Sequence, residues 1–197
     1  MTSTSLPSID AQRTALLVMD FQPAIVGSLP DADALLDRTA DTIAAVRAKG
    51  GTIGYVRVAF EDADYAAIPE TNKAFSQLGK ARVLQSDDAV SAVHEKLTPQ
   101  SGDIVVRKVR IGGMSTTDLD QQLRERGIDT LVLSGVATSG VVLSTLTDAA
   151  DKDYRLFVLS DGVADSDPEV HDVLVNKVFA RSAYVIDTAE FRSLLSA

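Results

Sequence analysis

The sequence predicts a doubly wound α/β domain: a six-stranded parallel sheet between two layers of helices, a Rossmann-like α/β/α arrangement. Three observations predict it. Short runs rich in Val, Ile and Leu recur without polar alternation, as strands buried on both faces require. Helical patterns with one apolar side separate most of these runs. Glycines fall just past two of the helical patterns and a proline opens another, the residues that helix ends and starts favour.

Taken in chain order, strands are expected at residues 15–19, 52–59, 104–107, 130–134, 155–160 and 183–187. Helices are expected at 32–49, with Leu35, Leu36, Ile43 and Val46 on one side, and at 118–126, 141–152, 168–179 and 188–196. Gly50 and Gly127 mark helix stops, Pro168 a first turn, and Thr116 or Thr117 a cap. Residues 60–103 are the irregular part, with short helices expected at 71–78 and 87–97. That stretch reads as a substrate-covering insertion or a contact surface for another subunit, and a homo-oligomer is expected. At 197 residues, 45% of them hydrophobic, the chain suits a single domain over 1–197.

Asp and Glu total 28 against 19 Lys and Arg, so the formal charge of -9 repels a phosphate backbone or an anionic lipid surface. Nucleic acid is not an expected partner. The opening MTSTSLPSIDAQRT lacks a basic segment followed by an apolar one, and no run approaches the roughly 20 apolar residues of a membrane helix. A cytoplasmic protein acting on a small molecule is the expectation. There is no cysteine, which removes disulfides, thiolate metal sites and thiol nucleophiles together. His94 and His171 lack ligand spacing and are expected on helix surfaces, while Glu61, Asp62 and Asp64 are loop carboxylates without ordered spacing. No metal or cofactor is expected. Gly112 and Gly113 precede a helix but match no phosphate-binding pattern.

Ligands in such sheets bind beyond the carboxyl ends of the strands. Asp20 ends ALLVMD there, and Lys108 ends DIVVRK, with a stem long enough to carry its ammonium toward Asp20. Pairing holds a carboxylate ionised, whereas burial favours its neutral form. The run LVLSGVATSGVVLSTLTDAA is an apolar strand, a turn and a helix with no charge before Asp148. A turn at a helix start presents backbone N–H groups, so Val136, Ala137, Thr138, Ser139 and Gly140 are candidates for holding a developing oxyanion. Gln22 and Arg57 are candidate substrate contacts, Arg57 for an anionic group.

Together, MDFQ, the stretch KVRIGGMSTTDLDQQLRERGIDTLVLSG and GVATSGVVLST make the chain resemble the isochorismatase-like hydrolases, or cysteine hydrolase family, over nearly its whole length. The resemblance implies a catalytic cysteine three residues after the Thr of GVAT, and counting from Thr138 reaches Val141. Valine matches cysteine in size but cannot attack a carbonyl. The resemblance further implies a cis peptide between Val136 and Ala137. Nicotinamidases, which are similar, carry metal-binding histidines where this chain reads RVAFEDADY, which argues against nicotinamide and against zinc or iron. Three readings follow. Asp20 and Lys108 act by proton transfer without a nucleophile, as the resemblance to true isochorismatases suggests, although those have glycine at the Val141 position. Alternatively Thr138, Ser139 or Ser144 substitutes as a hydroxyl, or the chain is an inactive relative that binds a ligand or a partner.

Overall fold

The computed structural model describes residues 6–196. Six strands, β1 (Thr14–Met19), β2 (Thr52–Val58), β3 (Ile104–Lys108), β4 (Thr130–Val136), β5 (Arg155–Ala164) and β6 (Tyr184–Ile186), form one sheet in the order β3-β2-β1-β4-β5-β6. Every pairing is parallel. The expected three-layer fold is therefore present.

Alternation along the central strands feeds two cores. Ala15, Leu17, Met19, Leu131 and Leu133 face one side of the sheet, and Leu16, Val18, Val132 and Val136 face the other. Each fully buried Leu or Val contributes about 1.5–3 kcal/mol relative to exposure, which explains why these strands are apolar throughout. Between β1 and β2 run α1 (Pro23–Val26) and α2 (Ala32–Ala48), and α2 places Leu35, Leu36, Ile43 and Val46 on the second core. Gly50 and Gly127 adopt φ of +75° and +70°, the left-handed stops that glycine allows.

The insertion after β2 carries α3 (Asp62–Ala66) and α4 (Ser76–Ala81), which share a small core of Val58, Phe60, Tyr65 and Phe75. The helix expected at 71–78 starts later because Asn72 Oδ1 accepts from the Phe75 N–H at 3.1 Å and closes a local turn first. The helix expected at 87–97 is instead two 3₁₀ turns, Ala89–Ser91 and Glu95–Leu97. Long-range bonds override local preference there: the His94 N–H reaches Phe21 O at 2.8 Å, and Ser91 O accepts from Gln22.

The remaining helices are α5 (Leu119–Glu125), α6 (Leu143–Ala150), α7 (Pro168–Val173) and α8 (Thr188–Ser196). The Leu119 N–H finds Thr117 Oγ1 at 3.2 Å, so Thr117 supplies the cap. Two expected helices are interrupted by wider π turns, Thr138–Val142 ahead of α6 and Leu174–Val178 after α7. Among the described residues no helix is long and apolar enough to cross a membrane.

Candidate active site

The strand order reverses between β1 and β4, which opens a crevice at their carboxyl ends. Asp20 leaves β1 with a φ of +58°, a left-handed turn that aspartate tolerates better than most side chains. Its N–H remains tied to Val56 O at 2.8 Å while its own carbonyl accepts from the Gln22 N–H at 2.8 Å. The strand thus ends abruptly at the carboxylate.

Lys108 ends β3, two strands away, and its ammonium lies 2.8 Å from Asp20 Oδ2. A second donation goes to Arg110 O at 3.1 Å. The two side chains are only 3% and 6% exposed, so water screens the pair little. Asp20 Oδ1 is buried and has no donor in full hydrogen-bonding geometry; the Val58 N–H lies near the carboxylate but its bond goes to Gln22 Oε1 at 2.8 Å. Burial pushes the Asp20 carboxyl up to about 6 from 3.8, and the Lys108 charge and hydrogen bond, with the nearby Val58 N–H, offset only part of that rise. A carboxyl titrating close to neutrality is suited to giving and taking protons.

The peptide between Val136 and Ala137 is cis, as the resemblance implied. Val141, at the position expected for a nucleophile, is buried in the core with Val142 and Leu146 and offers only methyl groups. The neighbouring hydroxyls are already engaged. Thr138 Oγ1 lies 2.9 Å from His171 Nδ1, while the Ser139 N–H and Oγ both donate to Asp165 Oδ2, at 2.8 and 2.7 Å. Burial raises the Asp165 carboxyl, but these donations outweigh it and hold it below the ordinary range. Gly140 closes the turn by donating its N–H to Ala137 O at 3.1 Å. Ser144 packs against the Gly112 backbone on the other side of the crevice.

His171 lies on α7, half-buried, and its ring also meets the turn through Thr138, a contact its charged sequence neighbours did not suggest. Asp165 was missed altogether, although its place at the carboxyl end of β5 is the same kind of signal that singled out Asp20. Gln22 and Arg57 lie at the crevice but serve as braces. Gln22 is fully buried, accepts from the Val58 N–H at 2.8 Å, and donates to Val58 O and Ser91 O at 2.8 and 2.7 Å, which leaves no amide group for a ligand. Arg57 Nη1 donates to Ser86 O and Ser91 O at 3.3 and 3.1 Å, holding the same strap of chain. Among the described residues no group of three or more His, Asp or Glu side chains is arranged to hold a metal ion.

Residues 14–190 match the model of the isochorismatase domain. An uncharacterised isochorismatase family protein of Bacillus subtilis is 35% identical over 190 residues, covering 93% of this chain and 95% of that one. A ureidoacrylate amidohydrolase of Methylorubrum extorquens is 32% identical over 212 residues, covering 96% of this chain and 85% of that one. Among solved structures, an isochorismatase family protein of Burkholderia thailandensis superimposes with a TM-score of 0.83 at 27% identity, covering 98% of this chain and 100% of that one. A strand-end carboxylate meeting a lysine across a parallel sheet, beside a cis peptide and a helix start, is thus found in a chain that belongs to the isochorismatase family.

Proposed function

We propose that this chain, as one domain over residues 1–197, hydrolyses a small organic molecule without a covalent intermediate. Asp20 moves the proton and Lys108 supplies electrostatic support, while the Ala137 and Thr138 end of the turn faces the oxygen on which charge develops, the Ser139 and Gly140 N–H groups being already bonded to Asp165 and to Ala137 O. Water forms the new bond to carbon, and the leaving atom departs with a proton passed through Asp20. The scissile bond is a vinyl ether or a C–N bond, the latter in keeping with the likeness to a ureidoacrylate amidohydrolase. The protein is placed in the cytoplasm as a homo-oligomer that needs no metal or cofactor.

The carrying observation is the sealed pair at 2.8 Å whose second carboxylate oxygen, Oδ1, has no donor in full hydrogen-bonding geometry. An unsatisfied buried acceptor costs about 1–3 kcal/mol, and a substrate or water that donates to it recovers that cost in the complex. Screening a library of small amides and vinyl ethers, with Asp20→Asn alongside the wild type, is the test. Turnover is expected for the wild type and is lost in the variant; turnover that survives undiminished removes Asp20 from the mechanism.

A second reading, a non-enzymatic binding protein, is favoured by one observation: Val141 fills the nucleophile position with core hydrocarbon. Library members that raise the melting temperature of the wild type without any turnover would select it.

A further inference from the structure

We propose that a shelf beside the crevice, between α4 and the loop after β3, is a subsite for the carboxylate of a small planar molecule, held by Arg110. The shelf is a cavity of about 320 Å³ whose walls include Asn72, Phe75, Ile111, Thr116 and Ser144, and Arg110 is its one charged lining residue. The guanidinium lies over the Phe75 ring at 5.7 Å from its centre, and Nη1 donates to Val109 O at 2.6 Å.

Among the described residues Arg110 shares the lack of an ion-pair partner with Arg57, Arg126, Arg155 and Arg181; what distinguishes it is its place as the one charged residue lining this cavity. Arg13, Arg38, Arg47, Arg82, Arg107 and Arg124 each have a carboxylate within ion-pair range. Among the described residues none lies within that range of Arg110. Asp64 is nearby in charge terms, but its Oδ2 already accepts from Arg107 Nη1 at 2.5 Å and from the Glu61 N–H at 2.8 Å. The rest of the Arg110 fork is therefore available to a planar anion, whose two oxygens match its geometry. Ile111, 43% exposed, and Phe75 supply apolar surface for the body of the ligand, and the hydroxyls of Thr116 and Ser144 border it.

The shelf adjoins the catalytic pair through the backbone, because Lys108 Nζ donates to the carbonyl of Arg110 itself. A molecule anchored by its carboxylate on Arg110 extends toward Asp20, which makes a small carboxylic acid the substrate class. That last step rests on the hydrolase reading; anion binding on the shelf does not.

The probe is benzoate, compared with benzamide of the same shape but no charge, titrated into the isotopically labelled full chain while the amide signals of Ile111, Gly112 and Thr116 are followed. Saturable shifts with benzoate are expected. Benzamide, and benzoate with Arg110→Gln, should each bind at least about tenfold more weakly, and Arg110→Lys, which keeps the charge but not the fork, should fall between. Wild type that shows no saturable shift, that binds benzamide equally well, or that matches Arg110→Gln overturns the subsite. Benzoate selectivity without turnover of any library member removes the hydrolase reading alone.

Discussion

Arg107 and Lys108 are consecutive residues of β3, each paired with a carboxylate, yet the two pairs behave in opposite ways. Arg107 meets Asp64 near the surface, where the side chains are 29% and 23% exposed, and Asp64 titrates below the ordinary carboxylate range. Burial acts on Asp64 too, but the Glu61 N–H and the Arg107 fork outweigh it. Lys108 meets Asp20 in the sealed crevice, and there burial wins, leaving the carboxyl at about 6. The Asp64 carboxylate has donors at hand, whereas Asp20 keeps one oxygen without a donor in full hydrogen-bonding geometry. Opposite charge alone does not set protonation; the number of donors left after burial does.

The comparison is broken most severely by Lys108→Met, which strips the buried carboxylate of its cation. Urea unfolding at pH 8 should show a loss of about 3–5 kcal/mol. At pH 5 the loss should shrink, because Asp20 then takes up a proton; equal losses at both values would refute the contest between burial and pairing.

Next in size is the pH dependence of stability. The folded Asp20 carboxyl at about 6 lies above its unfolded value of 3.8, so between them the folded chain binds more protons than the unfolded one. Its contribution to stability therefore falls as pH rises through that window and is flat above it, by about 3 kcal/mol in all. Unfolding curves of wild type and Asp20→Asn, measured at successive pH values, should diverge in that window and run parallel above it. Parallel curves throughout would mean that Asp20 titrates normally.

Val141→Cys sharpens the comparison by asking whether the expected nucleophile position feels the pair at all. Because the natural chain has no cysteine, alkylation reports on this one thiol. The Lys108 ammonium should lower its pKa, so iodoacetamide at pH 7 should react at least about tenfold faster than with an unperturbed thiol. An ordinary slow rate, with the thiol pKa followed directly by its ultraviolet absorbance and found unlowered, would show that the core around residue 141 outweighs that charge. The smallest effect belongs to the outer pair: Asp64→Asn should cost at most about 1 kcal/mol at pH 7. A loss as large as that of Lys108→Met would erase the distinction between the two sites.

How much of this was legible in the sequence follows from the range of the forces involved. The six strands could be read because uninterrupted Val, Ile and Leu runs have few other uses, and Asp20 and Lys108 because both interrupt such runs at the end where crevices open. Gln22 was visible as a residue but not as a brace, since its partners Val58 and Ser91 lie 36 and 69 positions away. The same distant bonds turned the expected helix at 87–97 into two short turns. The helix position of His171 could be read, but not its contact with Thr138, which belongs to another segment. Neither π turn leaves a mark in apolar spacing strong enough to separate it from an ordinary helix.

The wide turn at Thr138–Val142 has a mechanical result. In a regular helix, positions seven apart fall on nearly the same side. Thr138 and Thr145 are so spaced, yet one hydroxyl meets His171, in the helix that follows β5, while the other receives the Gly113 N–H, in the loop that follows β3. An extra residue in the coil has rotated them apart. A single short segment thereby ties the chain that follows β3 to the chain that follows β5, next to the turn where the bond-breaking chemistry is proposed to occur.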